Sequence, residues 1–310
     1  MTSQTPPLIN DLAKLLSTRL NAALQPVRVA EGGGFKQTWF VFLGQEPMVL
    51  RLSKNPSAIT KELVVAEILK EQGLPVPEVH HHGLDLVTPT GATAPVPVAW
   101  ILEQQLTGVH FEPWALPPGE AAAAAAEMGH CLQALHTVET KGFGAITEAS
   151  LQAESPTMER WLAKKGEHIS RWAGQVAADR YNQTLLNLVQ RALAILATYT
   201  DPPVLCHGDF AHDNLLVQSG HFSGVVDFEN AGGYDPAFEI AHWHFWSKSE
   251  SCLTALLNAY QPYNPLVFRK RIAAHIMLMG ASGIAFFEHQ KDPQGVLHCK
   301  QWIKLVAPQL

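Results

Sequence analysis

The chain has 310 residues, a formal net charge of −6 and a pI near 6.2, with charged residues at 16% and apolar residues at 47%. That length supports two lobes or domains with a substantial core, and the acidic balance excludes the basic face that nucleic-acid binding requires. Four cysteines, Cys131, Cys206, Cys252 and Cys299, lie far apart with no Cys-x-x-Cys pair; they read as reduced thiols of a cytoplasmic protein, not as a disulfide framework or zinc site. The N-terminal stretch carries Pro6, Pro7, Asp11, Lys14 and Arg19 where a signal peptide would need an apolar core. The most apolar run, 272–287, is interrupted by His275, Ser282 and two glycines. It falls short of the ~18 continuous apolar residues of a membrane span and is expected as a buried helix.

In chain order, residues 8–24 read as a helix on Leu8, Leu12, Leu15 and Leu16. Strand-like runs follow at 27–30, 38–43 and 48–52, separated first by Gly32-Gly33-Gly34 and then by a turn at 44–47. Asn55-Pro56 supplies an N-cap and first-turn proline for a helix that runs to about Gln72 and stops at Gly73. Runs at 79–82 and 96–102 complete an antiparallel N-terminal lobe over 1–106. From 107 onward the pattern turns helical, at 121–136, 161–172, 184–199 and over most of 235–310. The alanine run at 121–126 is a helix by propensity alone. No internal repeat is visible. The expected class is α+β, a small antiparallel-sheet lobe followed by a larger, mainly helical lobe.

One segment carries chemistry. The apolar run Val204-Leu205-Cys206 leads into His207-Gly208-Asp209; Asn214 lies five residues beyond Asp209, and Asp227 thirteen beyond Asn214. Leu215–Val217, a Ser219-Gly220 turn and Gly224–Val226 frame a hairpin between them. This is the spacing of a kinase catalytic loop, His-x-Asp-x-x-x-x-Asn, followed by a metal-binding Asp. Asp209 would orient and deprotonate an acceptor hydroxyl, with His207 beside it bracing the loop. Asn214 and Asp227 would hold Mg²⁺, a hard cation that takes oxygen ligands. Two other readings stand beside it: a metal-dependent hydrolase using His207, Asp209, His212 and Asp213, and a nucleotide-binding pseudokinase with a regulatory role.

The run from Val204 to Val217, then Val225-Val226-Asp227-Phe228-Glu229 and Tyr234-Asp235-Pro236-Ala237, resembles the aminoglycoside phosphotransferase superfamily, which includes choline, homoserine and fructosamine kinases. The resemblance implies a protein-kinase-like two-lobed fold and ATP-dependent phosphorylation of a small-molecule hydroxyl, with GTP as a second possible donor. It covers the chain from about Val27 to the C-terminal helices.

At the nucleotide end, Gly32, Gly33 and Gly34 sit where a phosphate loop would lie, since glycine lets backbone N–H groups approach phosphate. They depart from the Gly-x-Gly-x-x-Gly pattern of protein kinases. Arg51 occupies the slot of the kinase phosphate-binding lysine. Its expected partner is Glu62, which helical spacing puts on the apolar face, while Glu67 should face water. Glu103 and Gln105 fall in the segment 101–106 expected to join the lobes and to offer its backbone to adenine.

The acceptor is less legible. After Asp227-Phe228-Glu229 the chain passes almost directly to Asp235-Pro236, with no long activation segment to dock a peptide, so a small molecule is expected. Glu159, Glu167, Asp179, Glu288 and Asp292 could meet an ammonium-rich sugar, and Trp161, Trp172, Trp243 and Trp246 an apolar or choline-like group. His80-His81-His82 is expected to be exposed, and His242 and His244, two apart on a helix, to face different ways.

Overall fold

The computed structural model describes residues 7–30, 37–53, 56–146, 150–175 and 180–310. Gly32, Gly33, Gly34, Asn55 and Asp179 lie outside the described residues, so the expectations placed on them are not addressed. The chain divides into two compact units, Met1–Thr107 with Gly224–Glu229, and Gly108–Ser223 with Asn230–Leu310. The short segment carrying Asp227 groups with the first unit.

The first unit is built on five antiparallel strands, β1 (Leu24–Val29), β2 (Gln37–Leu43), β3 (Glu46–Ser53), β4 (Val79–Val87) and β5 (Val96–Gln104), in the order β1-β2-β3-β5-β4. Helix α1 (Pro7–Leu20) covers one face, packing Ile9, Leu12, Ala13 and Leu16 onto Trp39, Met48, Leu50, Trp100 and Leu102. The helix ends at Leu20, four residues before the expected end. Asn21 turns left-handed at φ 50°, and the Leu24 N–H bonds back to Ser17 Oγ at 2.8 Å, so the chain enters β1 instead. Arg19 then pins this helix to β4 by a forked pair with Asp85, which also accepts from Trp100 Nε1 at 2.8 Å.

The opposite face carries α2 (Pro56–Glu71), with Ile59 and Leu63 against Ala99, Ile101 and Val79. Side chains alternate across a strand. Met48, Leu50 and Leu52 on β3 thus face α1, and Arg51 takes the face of α2. In the register of β3 and β5, Arg51 lies opposite Ile101 and Val49 opposite Glu103. Glu103 is thereby a diagonal neighbour of Arg51 on the same face.

The second unit contains α3 (Pro118–Leu135), α4 (Met158–Gln175), α5 (Arg180–Leu196), α6 (Pro236–Ser247), α7 (Glu250–Tyr260), α8 (Pro265–His289) and α9 (Pro293–Val306). It is less purely helical than its composition suggests. Strands β6 (Val109–His110), β7 (Phe143–Ile146), β8 (Ala153–Ser155), β9 (Val204–Cys206), β10 (Leu215–Gln218), β11 (His221–Val225) and β12 (Gly232–Tyr234) form two small sheets, β11-β10-β6 and β8-β7-β12-β9. Three of the later helices begin with an oxygen-bearing cap followed by proline. Asp235, Asn264 and Asp292 accept from the first-turn amides of α6, α8 and α9, and Pro236, Pro265 and Pro293 lose nothing there by lacking an N–H. Helix α8 is long and apolar enough by composition to cross a membrane, yet Ile272 through Leu278 are all buried among its neighbours.

Helix α3 packs closely on α7. Gly129 makes that approach possible, since a Cβ there would lie 2.4 Å from the Leu256 carbonyl oxygen. Gly129→Val should cost about 1–3 kcal/mol through forced separation of the two helices. Urea denaturation reads this directly, and an unchanged midpoint would contradict the packing described.

Candidate active site

Within the second unit, β9 ends at Cys206 and delivers His207, Gly208 and Asp209 into a tight loop. Gly208 is indispensable to its shape. Its φ of 81° is left-handed, and a Cβ would stand 2.0 Å from the Asn230 carbonyl oxygen. The loop is clamped from α6: the His207 N–H donates to Glu239 Oε2 and the Gly208 N–H to Oε1 at 3.2 Å. Glu239 is fully buried, and burial pushes its carboxyl up to about 8 against the pull of the His207, Gly208 and Phe210 amides. His207 is buried as well, its Nδ1 accepting from the Asp209 N–H at 3.2 Å.

The Asp209 side chain is held by Asn214. Asn214 Nδ2 donates to Asp209 Oδ2 at 3.2 Å and to the Asp209 main-chain oxygen at 2.9 Å, from the end of a 3₁₀ turn at His212–Asn214. His242 Nε2 lies 3.6 Å from Asp209 Oδ1. Burial lowers the His242 pKa to about 4, so a neutral ring faces the carboxylate at neutral pH and leaves its charge intact. Because Asn214 turns its nitrogen to Asp209, its amide oxygen points away.

In the first unit, Arg51 is buried among three carboxylates: Glu62, with which it pairs closely through Nη2, Asp227 Oδ1 at 2.9 Å and Glu103 Oε1 at 3.5 Å. Burial alone would lower the guanidinium pKa, but the charges of Glu103 and Asp227 outweigh it and raise the pKa. Asp227 reaches Arg51 from a left-handed backbone at φ 67°. Asp tolerates that region better than most residues do. The next turn is tied down by Lys61 of α2, whose ammonium donates to the Glu229 carbonyl.

The family model described as "Phosphotransferase enzyme family" matches residues 27–270. The chain belongs to this family. It is 22% identical over 275 residues to hygromycin-B 4-O-kinase of Escherichia coli, covering 86% of this chain and 76% of that one. Its fold matches the aminoglycoside phosphotransferase APH(4)-Ia, crystallised with AMP-PNP and hygromycin B, with TM-score 0.75 and 17% identity over 96% of this chain and 98% of that one. The macrolide 2'-phosphotransferase MphH of Brachybacterium faecium aligns with TM-score 0.66 and 17% identity, over 94% of this chain and 97% of that one. The fold of this phosphotransferase is the kinase-like one of those enzymes.

The structure joins Asp209 to Asn214 and His207, and Arg51 to Glu62, Glu103 and Asp227. Gln105 follows the end of β5, half-buried, and Glu67 is exposed. His80, His81 and His82 are exposed on β4, and His244 turns to Glu250 at 3.1 Å while His242 turns to Asp209. Among the described residues, His207, Asp209, His212 and Asp213 form no metal-sized cluster. His212 pairs with Asp213 at 2.9 Å, and among the described residues the one metal-sized cluster is His136, Cys206 and Glu239. In that cluster burial raises the Cys206 thiol well above its ordinary value and lowers His136 to about 3, so it holds a thiol and a neutral ring 3.7 Å apart. Of the acceptor candidates, Glu159, Glu167 and Glu288 are exposed, and Trp161 and Trp243 are buried in the core. Sequence reading missed Glu239, His242 and Lys61. A Glu amid Ala237, Ile240, Ala241 and Trp243 was the available signal, since a buried carboxylate must find donors.

Removing Glu62 leaves Arg51 buried with two partners of three. Glu62→Ala should destabilise by about 1–3 kcal/mol, below the full cost of breaking a lone buried pair, and should weaken nucleotide binding. Glu67→Ala should stay within about 0.5 kcal/mol. Parallel chemical denaturation and nucleotide titration of the two variants would expose the opposite ranking, which overturns the face assignment.

Buried histidines make stability depend on acid. The folded pKa is about 3 for His136 and about 4 for His242 and His298, below the ordinary 6.5. The unfolded chain therefore takes up protons first, so their contribution is complete above pH 6.5 and declines as pH falls toward about 4. His242→Gln should flatten that decline in denaturation curves recorded across the window. An equally steep decline in the variant would contradict a neutral, buried His242.

Proposed function

We propose that this phosphotransferase moves the γ-phosphoryl group of ATP to a hydroxyl of a small molecule, with Asp209 as base and Asn214 and Asp227 as ligands of Mg²⁺. The observation that carries the reading is the fixed Asp209 carboxylate, held by Asn214 on a loop that Glu239 clamps. The named relatives support an ATP-type donor and a hydroxyl acceptor, one being a 4-O-kinase and another crystallised with AMP-PNP. The chemistry supplied by Mg²⁺, when bound, would be positive charge to offset that of the phosphates. Asn214 and Asp227 fit it by donor type, an amide oxygen and a carboxylate.

The residues then divide the work. Asp209 accepts a hydrogen bond from the acceptor hydroxyl and orients it; as the hydroxyl oxygen bonds to phosphorus, the bond to the bridging oxygen breaks, ADP departs and the proton passes to Asp209. His242 beside it is neutral and does not draw off its charge. Arg51, already committed to three carboxylates, sets the direction of Asp227.

Phosphoryl transfer draws most of its catalysis from positioning and charge stabilisation. Asp209→Asn should spare Mg²⁺-ATP binding yet slow transfer by about 10²-fold or more. Calorimetric ATP titration paired with acceptor-dependent ADP release separates the two effects. Near-normal turnover in the variant sinks this mechanism.

A further inference from the structure

A cavity of about 450 Å³ lies within the second unit. That volume suits a small-molecule ligand. Five rings line it: Trp114, His212, Trp246, Phe287 and His298. They form two preassembled pairs, Trp246 stacked on His298 with centroids 5.3 Å apart and Trp114 edge-on to His212 at 5.4 Å. Trp114 is 59% exposed and so open to a ligand.

Two elements connect this wall to Asp209. His212 opens the 3₁₀ turn that ends at Asn214, and Trp246 Nε1 donates to His242 Nε2 at 3.4 Å, the same nitrogen that faces Asp209. A second cavity, about 580 Å³ along α1 and β1, is lined by residues such as Lys14, Ser17 and Gln25, none of them from the Asp209 or Arg51 clusters.

The charges in the wall are sparse. Lys248 and Asp292 are of opposite sign, and Asp292 Oδ1 already caps α9 through the Gln294 and Gly295 amides, both at 3.0 Å. His298 is neutral at physiological pH because burial lowers its pKa to about 4. A polyamino sugar would bring several ammonium groups, and each needs an anionic or hydrogen-bonding partner when it leaves water. This wall offers one carboxylate. Its rings instead suit the flat C–H face of a sugar or another ring alcohol.

Resting on the phosphotransfer reading above, we infer that this cavity is the acceptor site and that it takes a neutral or singly charged ring alcohol, such as a hexopyranoside, in preference to a polycationic amino sugar. The test uses the full chain with phenyl β-D-glucopyranoside and neomycin as probes, read by calorimetry and by ADP release with Mg²⁺-ATP. The glucoside should bind more tightly than neomycin. Trp114→Ala should weaken it about tenfold, with Trp114→Phe restoring most of the loss and neomycin binding unmoved. Because Trp114 is largely exposed, the variant should keep the wild-type melting temperature, and Trp246→Ala serves as a second probe of the same wall. Tighter binding of neomycin, no glucoside binding, or ADP release with neomycin alone overturns the inference. So does glucoside affinity unchanged in both alanine variants. Trp114-dependent glucoside binding with no ADP release from any acceptor upholds the cavity as a ring-binding site and overturns the proposed reaction.

Discussion

Glu239 reaches out of the apolar face of α6 and receives the backbone N–H groups of His207 and Gly208. A buried acid group in that position has no water to fall back on, so α6 and the loop are bound to one geometry. The placement of Asp209 within the second unit follows from it. With the two amides held, the chain can afford the left-handed turn at Gly208 against Asn230, and Asp209 leaves the turn pointing toward Asn214 and His242. One helical turn beyond Glu239, His242 faces Asp209, and one turn further Trp246 enters the aromatic wall. Spacing of three and four residues places all three side chains on one stripe of the helix.

The first unit solves the converse problem. A guanidinium is sealed beneath α2, and three carboxylates surround it. A single pair so deeply buried gains little net energy over an apolar substitute, because desolvation offsets the attraction. Its value is directional. Arg51 fixes where Asp227 points, and Asp227 accepts a left-handed backbone to meet it. Lys61, from the same helix as Glu62, secures the turn that follows. Helix α2 thus supports the Asp227 segment at two places.

Much of the fold was legible because its signals are local. The strands of the first unit follow apolar runs and turn residues, and α2 stops at Gly73, which is left-handed at φ 72°. The short strands β6, β7, β8 and β12, two to four residues each, left no alternation to read. They exist because distant partners hold them, as β9 holds β12 through Cys206 and Gly232. Helix α1 was expected too long because Leu24 continues its apolar spacing, whereas the Ser17 hydroxyl ends it.

By itself the sequence determined the spacing of Asp209, Asn214 and Asp227, and the face of α2 that carries Glu62. Those follow from covalent order and helical period, which a chain displays without folding. Only the tertiary structure decided which groups neutralise Arg51, what clamps the Asp209 loop, and which rings gather beside His242 and His212. The Arg51–Asp227 pair spans 176 residues and the His207–Glu239 bond 32. No local pattern encodes such distances: a buried charge requires some partner, and packing chooses which one.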